Sequence, residues 1–303
     1  IWDGNAEGNP QIPSPNDDEA YLGVTIEFRD MEGLRLQNMT IRNTEAFHLR
    51  LNYVRDFRAE RITFDDQIIR PCQDGIHIAG GCENGIIRQI RSVGVSSPND
   101  DMIAFISDLT GADLALKDPA RGQRSGPIRN IVVEDIEADN TFSFLRIMST
   151  EEPIENLSIS HVRGGCYYLG IQMQISPYLR GTEMGKSMLG HGKIKNITIS
   201  DWQIRHRHPY GMNVAWQALA EKAVSGLIDI EERAENLTIE HFVRETERDN
   251  YPALPTLHLN NGRTNWVELR GGEDTSLQIG GDSYTGGMIL RQKTMPQEDL
   301  KLY

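Results

Sequence analysis

The chain has 303 residues, 13 excess negative charges and a pI near 5.1. This length suits one large domain or two ordinary ones. The acidic balance argues against nucleic acid as the main partner, and no apolar run approaches the roughly 18 residues of a membrane-spanning helix.

The first residues of the chain and its three cysteines give two further predictions. The opening residues, IWDGNAEGNP, read like the inside of a fold and not like a signal peptide, which predicts that further sequence precedes Ile1. Cys72 and Cys82 flank one predicted strand, and at about 3.3 Å per residue they lie too far apart to bridge. All three cysteines, with Cys166, are therefore predicted to be free.

One pattern recurs along the chain: asparagine followed by apolar residues at alternate positions. Its copies begin at Asn38, Arg61 (a variant), Asn84, Asn130, Asn156, Asn196 and Asn236. These starts fall 23, 23, 46, 26, 40 and 40 residues apart, and most copies are followed by a second short strand such as AFHLRL, DGIHIA or DMIAFI. Strand and turn repeating at this period predict one β-solenoid domain over residues 1–303, a single-stranded right-handed parallel β-helix whose N-terminal coil is incomplete.

Four of the repeat asparagines, at 38, 156, 196 and 236, also begin an Asn-x-Ser/Thr sequence. Because they occupy what the repeat marks as the same turn of successive coils, we interpret them as a stacked, hydrogen-bonded ladder and not as glycosylation sites.

Aspartate residues lie where two successive strands of the second kind begin, those of DGIHIA and DMIAFI. If the strands are aligned by their alternating apolar residues, Asp74 falls beside Asp101, and Asp100 lies next to them at the turn. The inward-facing residues are then Ile76, Ile78, Ile103, Phe105, Leu145 and Ile147. Coils about 4.8 Å apart would crowd the three carboxylates on one patch of the outer surface.

The chemistry of such a patch favours hydrolysis. Like charges raise one another's pKa, so one carboxyl can stay protonated as a general acid while another activates water. A basic stripe of His48, Arg50, His77 and Arg146 runs beside them, which suits a sugar chain that carries its own carboxylates. The alternatives are solvated turns or a bound cation, because Asp-Gly and Asn-Asp are ordinary turn formers.

At these residues the chain resembles glycoside hydrolase family 28, the polygalacturonase-like enzymes of the pectin-degrading parallel β-helix superfamily. CQDGIHI resembles the family's Asn-Thr-Asp motif, NDDMIAF its Asp-Asp motif and LRIMS its Arg-Ile-Lys motif. The resemblance implies inverting hydrolysis of α-linked galacturonan without a cofactor. It implies that Asp101 is the general acid, that Asp74 and Asp100 activate water, and that Arg146 holds a substrate carboxylate.

Two departures from the family pattern bear on the substrate. The family's His-Gly motif has no counterpart between Asp101 and Arg146, and Met148 stands where the family has lysine, which removes a point charge for a uronate. We expect His77 to supply part of the missing histidine function. His191 and Arg180, in a long insertion, are further candidates for substrate binding.

The sequence thus predicts a secreted or periplasmic hydrolase of an α-linked acidic, pectin-like polysaccharide or oligosaccharide, with no nucleic-acid or membrane partner and no metal. Two rivals stay open. One is a polysaccharide lyase of the same fold that uses Ca²⁺ and an arginine base, and the other is a non-catalytic glycan-binding solenoid. An oligomer is also compatible with the sequence, because a solenoid that begins in mid-coil needs a cap at that end.

Overall fold

The computed structural model describes residues 1–5, 24–70, 72–94, 96–107, 124–149, 152–173, 193–208, 226–232, 234–252, 254 and 256–258. Beyond residue 258 it describes only the backbone of the strands. The predicted site residues Arg180 and His191 lie outside the described residues.

Strands account for almost all of the regular structure, and they alternate with turns along the whole described chain. They are β1 (Trp2–Asp3), β2 (Ile26–Glu32), β3 (Arg35–Arg42), β4 (Leu49–Asp65), β5 (Ile76–Ala79), β6 (Glu83–Val93), β7 (Asp101–Ile106), β8 (Ile128–Met148), β9 (Ile154–Met173), β10 (Ile194–His206), β11 (Ile228–Ile230), β12 (Ala234–Arg244), β13 (Leu257–Leu259), β14 (Asn265–Arg270), β15 (Ser276–Ile279), β16 (Asp282–Thr285) and β17 (Leu290–Gln292). A single 3-10 turn, Thr246–Arg248, is the one helical element of the described residues. Among these residues there is accordingly no helix long and apolar enough to cross a membrane.

The strands form two parallel ladders, and the chain returns to each ladder once per copy of the repeat. One ladder runs through β2, β4, β5, β7, β8, β9, β11, β13 and β15. The other runs through β1, β3, β4, β6, β8, β9, β10, β12 and β14. β4, β8 and β9 contribute to both because they bend from one face to the next. The prediction of an all-β chain built from stacked repeats is confirmed.

The interior between the ladders is a stack of apolar residues, with one layer for each copy of the repeat. Ile76 lies opposite Ile103, which lies opposite Leu145, and Ile78 lies opposite Phe105. These residues belong to the main hydrophobic core and Ala104, between Ile103 and Phe105, does not, so the predicted inward register is confirmed. Burying each such side chain stabilises the fold by about 1.5–3 kcal/mol.

Each repeat turns at two positions where the backbone adopts a left-handed conformation, five residues apart as at Asn84 and Gln89. The first file of turn residues is Asp56, Asn84, Asn130, Asn156, Asn196 and Asn236. In it each asparagine amide donates to the side-chain oxygen of the residue one layer below, at 2.9–3.1 Å. The predicted asparagine ladder is confirmed for Asn156, Asn196 and Asn236.

Asn38 does not belong to that ladder, which corrects the sequence alignment of its turn. Met39 pairs with Ile62 and Ile62 with Ile90, so Asn38 lies in the second file with Arg61 and Gln89. There its side-chain oxygen accepts a hydrogen bond from Arg61 Nε at 2.7 Å. Both files require positive φ, which asparagine tolerates, so the residue type alone cannot tell one turn from the other.

The three cysteines are free, as predicted. Cys82 and Cys166 are buried, and Cys72 is half-buried. Burial raises the pKa of the Cys82 thiol to about 12 and raises that of Cys166 as well, so neither is a reactive thiolate.

Candidate active site

The site forms where β5 and β7 begin, and a glycine allows the two strands to approach. The backbone N–H of Gly75 donates to the carbonyl oxygen of Asp101 at 2.9 Å, which places Asp74 beside Asp101. A Cβ atom at Gly75 would stand 2.5 Å from the Met102 carbonyl oxygen and 2.8 Å from the Phe64 ring. Close packing between neighbouring strands therefore requires glycine at residue 75.

Asp74, Asp100 and Asp101 come together as the sequence register predicts. One oxygen from each carboxyl lies within 4.8 Å of one from each of the others. Asp74 and Asp101 are 4% and 2% exposed, whereas Asp100 is half-buried and is the most accessible of the three. Three acids in so small a space cannot all ionise without strong repulsion.

Burial and mutual repulsion raise the carboxyl pKa values unequally. Burial, followed by the charge of Asp101, raises the pKa of Asp74 well above its ordinary value. Burial and the charges of Asp101 and Asp74 do the same for the pKa of Asp100. Burial also raises the pKa of Asp101, but Arg146, Gln172 and Ser143 oppose that rise. The contacts with Arg146 and Gln172 therefore favour the ionised form of Asp101.

Arg146 supplies the positive charge of the cluster. Its Nη1 lies 3.7 Å from Asp101 Oδ2, and only 9% of the residue is exposed. Burial alone would lower the pKa of Arg146, but the three carboxylates outweigh burial and raise it. Its Nε is buried and has no hydrogen-bond partner among the described residues. One N–H of this guanidinium is thus unmatched by the protein groups described around it.

His77 and Arg50 follow one another on the outer face of β5 and β4. His77 Nδ1 lies 2.6 Å from Asp74 Oδ2, and its ring stacks on Phe47 with centroids 4.6 Å apart. Arg50 pairs with His77 in register, and its Nε donates to Glu27 at 2.9 Å. His77 therefore contacts the acidic cluster directly, while Arg50 lies one strand away from it.

His48 occupies a different place from the one that its predicted role requires. The residue is 0% exposed and lies behind Asp74, away from the outer face. Its Nδ1 lies 2.7 Å from the Asp74 carbonyl oxygen and its Nε2 lies 2.8 Å from Asp66. An enclosed ring with both nitrogens engaged cannot touch a substrate, so the predicted binding role does not fit His48.

Four polar residues of the site did not emerge from the sequence. The side-chain amide of Gln172 donates to Asp101 and, at 2.9 Å, to Ser143. The Tyr167 hydroxyl donates to Asn99, and burial, then the charges of Asp100 and Asp101, raises the pKa of Tyr167. Aligning the LGIQMQI strand one layer beyond Arg146 would have found Gln172, since the two residues are paired in register.

Met148 lies beside Arg146 and contributes no charge. It is 4% exposed, and its sulfur lies 3.9 Å from Arg146 Nη2. With Ala104 and Ile106 it forms a small buried apolar cluster separate from the main core. Arg146 therefore has apolar neighbours on this side.

The three carboxylates lie close enough to share a divalent cation, but their partners argue against it. Ca²⁺ takes six to eight oxygen ligands, and the cluster brings together three carboxyl groups. Arg146 already places a positive charge 3.7 Å from Asp101, and His77 Nδ1 lies 2.6 Å from Asp74 Oδ2. The donor set therefore fits a protonated acid cluster better than a calcium site.

Comparison with known proteins finds similarity at the level of structure and none at the level of sequence families. No protein-family model matches the chain, and no curated protein matches it. One similar solved structure is a family 28 exopolygalacturonase from Yersinia enterocolitica, with a TM-score of 0.36 and 13% sequence identity. The match covers 82% of this chain and 45% of the enzyme, so the chain spans less than half of that protein's length.

Proposed function

We propose that the chain is a glycoside hydrolase that cleaves an α-linked acidic, pectin-like polysaccharide or oligosaccharide, and that its stacked strands form a right-handed parallel β-helix. The observation that carries the proposal is the cluster of Asp74, Asp100 and Asp101, with Arg146 and His77 in contact with it. Buried carboxyls whose pKa values are driven apart are the arrangement that acid/base hydrolysis needs. Such a polymer would be met outside the cell, which agrees with a secreted or periplasmic enzyme.

The roles within the cluster follow from protonation and access. The resemblance assigned the general acid to Asp101, but Arg146 and Gln172 favour an ionised Asp101. Asp100 combines a strongly raised pKa with the greatest exposure of the three. We therefore assign the general acid to Asp100, which donates its proton to the glycosidic oxygen. Asp101 takes a proton from the attacking water, and Asp74, whose carboxyl lies within 4.8 Å of it, orients that water.

Substrate recognition is assigned to the cationic neighbours of the cluster. Arg146 has a buried Nε–H without a partner among the described residues, and its guanidinium suits a planar carboxylate. Met148 gives Arg146 an apolar neighbour on one side, so a uronate would be held by fewer charges than in the family pattern. Arg180 and His191, outside the described residues, keep their proposed role in substrate binding.

The distance between the carboxyl groups and the resemblance to family 28 give different predictions for the stereochemistry of the reaction. Inverting enzymes usually hold their carboxyls about 6.5–9.5 Å apart and retaining enzymes about 5–5.5 Å apart. The oxygens here lie within 4.8 Å, whereas the resemblance implies inversion. Proton NMR of the first anomer released from the substrate measures the outcome directly.

A turnover screen tests the proposal. The native chain, Asp100→Asn and Asp101→Asn are incubated with polygalacturonan and a panel of neutral and acidic glycans, and new reducing ends are measured. We expect native turnover on an acidic glycan and a loss of about 10²–10⁴-fold in each variant. Asp135→Asn, on an exposed turn of another face, is the matched control and should keep full activity.

Other outcomes of this screen would support the rivals. Unsaturated, ultraviolet-absorbing products together with chelator sensitivity would show a lyase. Binding of glycans without any turnover by the native chain would show a non-catalytic binding protein.

A further inference from the structure

A buried pair, Asp66 with His48, lies directly behind the acidic cluster. Neither side chain is exposed at all. Asp66 follows the last residue of β4, and His48 precedes its first residue, so the two ends of this strand's coil meet at the pair. Neither residue faces the outer surface on which a substrate would lie.

Both ring nitrogens of His48 are engaged. Nδ1 lies 2.7 Å from the carbonyl oxygen of Asp74, and Nε2 lies 2.8 Å from Asp66 Oδ2. A carbonyl oxygen can only accept a hydrogen bond, so Nδ1 carries a proton and donates it to Asp74. The backbone N–H of His48 also donates to the Asp74 carbonyl oxygen, at 2.9 Å. His48 therefore holds the Asp74 backbone at two points.

Asp66 reaches in the other direction, to the loop that carries Asp100. Its Oδ2 accepts a hydrogen bond from Ser97 Oγ at 2.9 Å, and its Oδ1 accepts one from the backbone N–H of Thr44 at 3.3 Å. Ser97 lies three residues before Asp100. Thr141 Oγ1 lies 3.1 Å from the carbonyl oxygen of Pro98 in the same loop. Asp66 therefore links its own coil to the loop that carries Asp100.

We infer that the Asp66–His48 pair is a positioning device for the acid cluster, which joins the Asp74 backbone to the Asp100 loop and sets the spacing of their carboxyls. This inference depends on the proposed hydrolase function. The pair touches no substrate and acts through Asp74 and Asp100. Displacing a reacting group by about 1 Å can cost about 10²-fold in rate, so a link between the two acids matters more for turnover than for binding.

The sharpest test removes the link and leaves the pair. In Ser97→Ala the Asp66–His48 contact stays, and the two hydrogen bonds of the Ser97 hydroxyl with Asp66, at 2.9 and 3.4 Å, are lost. Using the glycan that the native enzyme hydrolyses, we expect kcat to fall about 10-fold or more while KM changes less than about 2-fold. Ser107→Ala is the matched control, because Ser107 is equally buried and hydrogen-bonded but lies at the opposite end of β7.

Melting temperature separates positioning from simple stability. We expect both variants to lose a similar amount of thermal stability and only Ser97→Ala to lose kcat. Equal kcat in the two variants, or a kcat loss that follows the melting temperature in both, would overturn the positioning role.

A second measurement does not depend on activity. ¹⁵N NMR of histidine-labelled protein should show an N–H proton on Nδ1 of His48, the nitrogen that faces the Asp74 carbonyl oxygen. A bare Nδ1 would overturn the link between His48 and the Asp74 backbone even if the hydrolase function held. If the native chain hydrolysed no glycan, the proposed function and the positioning role would both fail, while the proton on Nδ1 would still be observed.

Discussion

Asp101 and Asp100 are adjacent in the chain, yet their surroundings differ, and the proposed mechanism gives them opposite tasks. Asp101 accepts a hydrogen bond from the Gln172 amide and lies 3.7 Å from the Arg146 guanidinium, and both contacts favour its charge against the cost of burial. Asp100 is half-buried and feels the repulsion of both other carboxyls. A division of labour between two like residues therefore follows from neighbours contributed by later strands.

Substitution of His77 tests most directly whether the nitrogen-bearing neighbours of the acid cluster contribute to activity. Replacing it with alanine removes the partner 2.6 Å from Asp74 Oδ2, so the Asp74 carboxyl loses the contact that orients it within the cluster. We expect kcat/KM for the hydrolysed glycan to fall about 10²-fold. His161→Ala, at an exposed turn, is the control, and full activity in His77→Ala would remove His77 from the mechanism.

At the scale of the elements, most of the correct predictions came from the alternation of apolar and polar residues along the strands. Strand register followed from apolar residues at every second position, because a slip by one residue would turn the core outward. The turns were harder, since two files per layer accept the same residue types, and Asn38 was assigned to the wrong one. His48 and Asp66 could not be placed, because an imidazole on a strand end faces either way until its partner, 18 residues on, is known.

The asparagine ladder makes a prediction at this scale. Asn156→Ala removes a donor to Asn130 and an acceptor for Asn196. Asn38→Ala removes one acceptor, and both asparagines have a φ of 58°, so the strain of placing alanine there cancels between them. We expect Asn156→Ala to lower the free energy of unfolding by about 1 kcal/mol more than Asn38→Ala in urea titrations. Equal losses would mean that the ladder adds nothing to stability.

At the scale of the whole molecule, the acid cluster that the proposed function requires lowers the stability of the fold. A fold made of repeated layers distributes its stability over many similar contacts, and the cluster is a local exception in which buried carboxyls repel one another. The three acids occupy two neighbouring layers, while the cation that offsets them comes from a third. Such a site can persist because the layers on either side are fully packed.

The pH dependence of stability tests this conflict. The folded pKa values of Asp74 and Asp100 are raised above the ordinary value of 3.8. Between that value and the raised one the folded state binds more protons than the unfolded state, so these groups make stability fall as pH rises through this window. Asp100→Asn removes one of the charges, and we expect it to melt at a higher temperature than the native chain at pH 7.

Below about pH 4 the difference should vanish, because the aspartic acid is then protonated in both states. Thermal unfolding of both proteins across pH 3–8 measures the effect, with Asp135→Asn as the exposed control that should follow the native curve. A native chain that was more stable than Asp100→Asn at pH 7 would show that the carboxylate is satisfied in the folded state. Asp100 could then not serve as the protonated acid, and the assignment would return to Asp101.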